Sequence, residues 1–235
     1  MNSNYFQLVQ RLILYREKLN KTQHQMGQLL GVTQSHYAKL ESGQKIISYK
    51  SLKNFEKHDG DINYLITGST ILSGKINEYL SLCKTKSGKT WLYEGLIWIF
   101  EKGTHFCTIE NLTLTQKTYK NLLLLKEYNN TNTIWECIRK SEDLSQINMA
   151  KVLDIDVKRY RRIEKLISDP DAEILNTLYC KLHYSPLIIT NRELFYLDEL
   201  NQAWNLFPEN IKEKISPLLH ELLLFIHSYE KALLK

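Results

Sequence analysis

The tightest constraint on this chain is the punctuation of residues 22–43. Thr22 stands where a helix cap belongs, Met26, Leu29 and Leu30 follow at helical spacing, and Gly31 ends the run. Thr33 then caps a second run that carries Tyr37 and Leu40 and is closed by Gly43. Helices of two or three turns do not persist alone, so both must pack into a bundle. If the two cross steeply, the contact residue on the first must be small, as Gly27 is. The residue between them must accept a positive φ, as Gly31 does. With Val32 and Tyr37 anchoring the second helix, Gln34, Ser35, His36 and Lys39 are left facing outward.

The flanks complete the bundle. Phe6, Val9, Leu12, Ile13 and Leu19 recur at helical spacing and predict a first helix. Ser48 or Ser51 starts a fourth, through Leu52 and Phe55, which stops near Gly60; a short fifth over 62–66 ends at Gly68. A polar helix projecting from such a bundle can enter the major groove N-terminus first, where amides and hydroxyls reach base edges.

Residues 16–68 resemble, without a gap, the lambda-repressor-like, Cro-type (XRE-type) helix-turn-helix family, with Met26, Gly27 and Tyr37 standing where Leu, Ala and Ile are usual. The resemblance implies a DNA-binding role for each matching position. Gln23 would contact a phosphate and brace the first recognition-helix residue. Gln34, Ser35 and Lys39 would face bases, His36 would sit beside them, and Lys45 would meet the DNA backbone. It also implies a structural pair inside the fold between Arg16 and Glu41.

Shifting the sequence by 123 positions superposes Arg16 on Arg139, Gln23 on Gln146, Met26 on Met149, Leu30 on Leu153, Tyr37 on Tyr160 and Glu41 on Glu164. Close replacements join them, among them Thr22/Ser145, Gly27/Ala150, Val32/Ile155 and Lys39/Arg162. Chance explains this less well than an internal repeat. The second copy departs at Asp154 for Gly31, Asp156 for Thr33, Val157 for Gln34 and Leu166 for Gly43. Its recognition helix would be basic, with Lys158, Arg159 and Arg162, beside Gln146, as the second set of DNA-contacting candidates and Arg139–Glu164 as its internal pair. The opposing reading keeps this copy as a packing scaffold, its field cancelled by Asp169, Asp171 and Glu173.

Charge places the partner. The net charge of +5 is mild, but residues 1–70 carry +4 and 71–130 carry +3, while 131–191 balance and 192–235 carry −2. A basic first half fits a polyanion; an acidic tail fits another task. Few Gly and Pro favour helices over a turn-rich sandwich. Cys83, Cys107, Cys137 and Cys180 are scattered without a C-x-x-C pair, as expected of reduced thiols in a cytoplasmic protein. The N-terminus lacks a signal-peptide layout, and the apolar run 222–226 is far too short to cross a bilayer, so no membrane association is expected. No metal-ligand spacing, nucleophile elbow or phosphate-binding loop is present, so neither a cofactor nor an enzymatic activity is expected.

Between the copies, Ile76, Tyr79, Leu80 and Cys83 form one apolar face. Trp91, Leu92, Leu96, Ile97 and Phe100 form another, between breaks at Ser87-Gly88 and Gly103, and Trp98 reads as core with them. A third helix is expected over 112–128, then a polar linker at 129–132. The tail holds helices over 193–206 and 211–234, with Pro217 tolerable only near a helix start, which sets that start at Ser216. The expectation is an all-α chain: a helix-turn-helix domain over 1–70, a helical spacer over 71–130, a second five-helix bundle over 131–191 and a C-terminal tail over 192–235. Its apolar tail helices suit a homodimer surface. The function expected is sequence-specific double-stranded DNA binding and transcriptional regulation, with repression favoured. The alternative is a protein-interaction or peptide-sensing regulator whose second bundle and helical regions are scaffold.

Overall fold

The computed structural model describes residues 3–71, 73–109, 120–121, 124 and 133–233, and every regular element among them is a helix. The expected linker at 129–132, and the expected helix over 112–128 apart from Lys120, Asn121 and Leu124, lie outside the described residues. The chain divides into two compact units, Met1–Ile71 with Thr133–Arg192, and Leu72–Asn132 with Glu193–Lys235.

The first unit opens with α1 (Ser3–Lys18), α2 (Gln23–Leu30), α3 (Gln34–Glu41), α4 (Tyr49–Lys57) and α5 (Ile62–Thr67). Thr22, Thr33, Ser48 and Asp61 each accept the amide of the third residue on, so the four short helices after α1 are all capped by a side chain. In α1 the buried face is Tyr5, Leu8, Val9 and Leu12; Phe6 is 56% exposed and does not belong to it. The spacing pointed to Phe6, but Tyr5 is the aromatic that turns inward, where its hydroxyl has work to do: it accepts the amide of Ile47 at 2.9 Å. At Gly27 a Cβ would stand 2.9 Å from the carbonyl oxygen of Val32, which is why α2 can approach the following turn so closely.

The same unit continues with α8 (Ile134–Ser141), α9 (Gln146–Val152), α10 (Val157–Glu164), α11 (Ala172–Leu182) and α12 (Leu187–Thr190). Thr133, Ser145, Asp156 and Asp171 cap the first four of these with their side chains. Left-handed residues punctuate both segments: Asn20, Gly31, Gly43 and Asp59 in the first, and Asp143, Asp154, Leu166 and His183 in the second. The α11 helix packs on α1 and α5, so the two segments share a core.

In the second unit, α6 (Lys75–Leu82) and α13 (Arg192–Leu206) accompany two long helices, α7 (Lys86–Ile109) and α14 (Glu209–Leu233). The long pair is antiparallel: Trp91 lies against Phe225 and Tyr229, and Lys214 sits over the ring of Phe106. Neither Gly88 nor Gly103 breaks α7. Each is a point of close approach instead, a Cβ at Gly88 falling 2.2 Å from a Glu230 carboxylate oxygen and one at Gly103 falling 3.0 Å from the Phe207 ring. Nor does Pro217 start a helix, since α14 runs through it from Glu209. The lost hydrogen bond is to a carbonyl on an exposed stretch, which water can satisfy, and Ile211, Ile215 and Leu219 keep the helix seated on either side. Trp98 is 53% exposed and lies outside the core, because α7 buries only the stripe of Leu92, Leu96, Ile99 and Phe100 with part of its flank.

Candidate nucleic-acid interface

The position of α3 is set by its two ends. At its start, Gly31 takes φ 69°, and Val32 donates to the carbonyl of Gly27 at 2.9 Å, turning the chain back onto α2. Thr33 then caps α3 through the amide of His36 and contacts the Ser35 hydroxyl at 3.2 Å. Tyr37 and Leu40 are buried, which rotates Gln34, Ser35, His36 and Lys39 into solvent. After the helix, the Lys45 amide returns to the Lys39 carbonyl at 3.1 Å, so the exposed Lys45 runs alongside the last turn.

At the far end of α3, Glu41 is the anchor. Arg16 Nε lies 2.6 Å from its Oε1 and Gln23 Nε2 donates to its Oε2 at 2.8 Å, while Arg16 Nη1 also reaches the carbonyl of Lys21. Both oxygens of a carboxylate whose side chain is 8% exposed are thereby satisfied. Hydrogen bonding to Glu41 lifts the Arg16 guanidinium above its usual range against the opposing effect of burial. The bracing by Gln23 therefore goes to the last residue of α3 rather than to Gln34, and it ties the start of α2 to the end of α3.

An equivalent arrangement stands 123 positions on. Arg139 Nε lies 2.6 Å from Glu164 Oε1, Gln146 Nε2 donates to Glu164 Oε2, and Arg139 Nη1 reaches the Leu144 carbonyl. Tyr160 adds its hydroxyl to Glu164 Oε1 at 3.0 Å. Burial alone would raise the Glu164 carboxyl; the bonds from Arg139, Gln146 and Tyr160 outweigh it and hold the group below its ordinary range. On α10, Lys158, Arg159, Arg161 and Arg162 are exposed. Arg159 is engaged by Asp171 at 2.6 Å and Arg161 by the side-chain oxygen of Gln146 at 3.1 Å. Arg161 was missed as a candidate because it aligns with the featureless Ala38, and Asp171, read in the sequence as one of three acids opposing the basic helix, is here the one that pairs with Arg159.

Two short segments of the sequence thus present a polar or basic helix on a fixed support. Residues 12–63 match the helix-turn-helix family model. That match points to a DNA partner and to transcription regulation for the segment containing α2 and α3. No curated protein and no solved structure matches the chain. Among the described residues, no cluster of three or more His, Cys, Asp or Glu could hold a metal ion, and no helix is long and apolar enough to cross a membrane.

Proposed function

We propose that the chain binds double-stranded DNA sequence-specifically through α3 and represses transcription from the site it occupies. One observation carries this reading: Gln34, Ser35, His36 and Lys39 all stand exposed on a helix whose two ends are locked by Thr33 and by the Arg16–Glu41–Gln23 cluster. A rigid helix loses little conformational entropy on entering the groove, and amide, hydroxyl and ammonium groups suit base edges. The exposure of Lys45 beside the last turn of α3 supports a phosphate contact, and the +4 charge of residues 1–70 favours approach to a polyanion. Repression is the economical form of this activity, since the sequence contains nothing that resembles an activation surface.

The segment from Thr133 to Thr190 is, on this reading, a second and diverged copy of the same bundle. The matched Arg–Glu–Gln cluster, the capped helices and the left-handed turns at Asp154 and Leu166 support it. A homodimer through the C-terminal helices is supported by Leu218, Leu224 and Phe225, all exposed on α14. No catalytic role, cofactor or membrane site is proposed, and a cytoplasmic location goes with this reading.

The deciding experiment measures binding to mixed DNA fragments over a range of salt. Affinity should fall steeply as salt rises, and Lys39→Ala should lower it and relax base preference while leaving the fold intact. Absence of binding at low salt, or binding indifferent to salt, overturns the DNA reading. Normal operator binding by Lys39→Ala would show that α3 is not the reading helix.

A further inference from the structure

We infer that the first unit is a two-headed reader, in which one chain presents α3 and α10 to two unlike half-sites on the same duplex. This rests on the reading of α3 as a DNA-contacting helix. Three observations extend it to α10.

The first is the register. At a shift of 123, Lys158 and Arg162 take the places of Ser35 and Lys39. With Arg159 held by Asp171 and Arg161 by Gln146, Lys158 and Arg162 are the two exposed cations of α10 that have no partner among the described residues. An unengaged Arg at the Lys39 position suits the paired acceptors of guanine, and Lys158 suits a neighbouring acceptor or phosphate. The second half-site should therefore be guanine-bearing and different from the first.

The second observation is the manner in which the segments meet. Ser185 Oγ donates to Asn63 Oδ1 at 2.9 Å, and in the 123-residue register Ser185 corresponds to Ile62, so the bond joins adjacent positions of the two copies. Tyr49 and Lys53 of α4 donate to the carbonyls of Ile189 and Thr190, while α11, the counterpart of α4, packs against α5. The same patch is used by both partners in reciprocal fashion, which is the pattern of a twofold interface. Here it is built within one chain.

The third is reach. The Lys45 amide bonds the Lys39 carbonyl, Ala172 N–H bonds the Ile47 carbonyl, and Ser168 N–H bonds the Arg162 carbonyl. The few residues between these bonds, even fully extended, leave the last turns of α3 and α10 no more than about 35 Å apart. That admits half-sites one DNA turn apart and excludes a two-turn spacing.

The experiment selects an operator for the full-length chain from random DNA and compares footprints of the wild type, Lys39→Ala, Arg162→Ala and Arg162→Lys. Two dissimilar half-sites within one turn are expected. Lys39→Ala should lose protection of one half only and Arg162→Ala of the other, each with affinity lower by about tenfold or more. Arg162→Lys, which keeps the charge and loses the planar fork, should relax guanine preference in that second half alone. If Lys39→Ala abolishes both halves of a symmetric site while Arg162→Ala leaves the footprint unchanged, the two-headed reading is overturned and the α3 reading stands. If no DNA is selected at all, the α3 reading itself has failed.

Discussion

The carbonyl of Ile47 accepts the amide of Ala172 at 3.0 Å, joining the loop that follows α3 to the first residue of α11 across 125 positions of sequence. The Ile47 amide is occupied as well, donating to the buried hydroxyl of Tyr5 on α1. Burial drives the Tyr5 hydroxyl far above its ordinary range, so it stays protonated and keeps this geometry at any physiological pH. A loop residue at 1% exposure with both backbone groups paired is a fixed point. Through it, the first five helices and the second five become one body with a common interior.

A shared interior predicts shared unfolding. Leu175 on α11 is fully buried, and Leu175→Ala should destabilise the first unit by about 2–5 kcal/mol. Hydrogen exchange on that variant should show protection falling together in α2–α5 and in α9–α11. Loss confined to 133–190 would mean that the two segments unfold independently.

The ion pairs behind α3 and α10 should be costly to break from one side. Arg139→Leu leaves the Glu164 carboxylate, whose side chain is 7% exposed, without its charged partner. We expect a loss on the order of 3 kcal/mol in a urea titration, with a smaller loss when Glu164→Leu is added. Arg16→Leu should behave in the same way through Glu41, and should also weaken DNA binding although no residue of the exposed α3 face has changed. A double variant no more stable than the single one would contradict this account.

Acid should find the second cluster. Glu164 is held below the ordinary carboxylate range in the folded chain, so it contributes stability that is fully present above the unfolded value of about 4.3 and is lost as pH falls through the depressed folded value. Glu164→Gln lacks this contribution at every pH. The urea midpoints of wild type and Glu164→Gln should therefore differ at pH 7 and converge below pH about 4. Parallel curves down to acid would show that the carboxylate is not held low.

Much of α2–α5 was legible because several boundaries there are each marked by one residue with one physical reason: Thr22 and Thr33 as caps, Gly31 and Gly68 as left-handed stops. The pairing of Arg16 with Glu41 was legible only through family resemblance, since nothing in the spacing of two residues 25 apart requires contact. Glycine misled where its role was proximity rather than conformation. At Gly88 the missing Cβ makes room for Glu230, whose carboxylate accepts the amides of Lys84 and Thr85 and so caps α7 from a residue 145 positions away. The joining of the two bundles was illegible for a related reason: it runs through Ile47, Asn63 and Ser185, which carry no local signal of what they touch.

Pro217 offers the sharpest test of how α14 is held. It sits in the third turn of the helix, exposed, where it supplies no amide to the carbonyl of Glu213 and crowds the preceding turn. The helix persists because Ile211, Ile215, Leu219 and Ile226 are buried and α14 packs along α7. Packing therefore sustains a segment that backbone preference opposes. Pro217→Ala restores the donor and relieves the crowding without disturbing a buried contact, so it should stabilise the second unit by about 1–3 kcal/mol. The check is the thermal midpoint of the full chain together with hydrogen exchange at residues 213–221: the midpoint assigned to the second unit should rise and the amides of that turn should become slower. An unchanged midpoint with unchanged exchange would mean that a bend at Pro217 is required for α14 to follow α7.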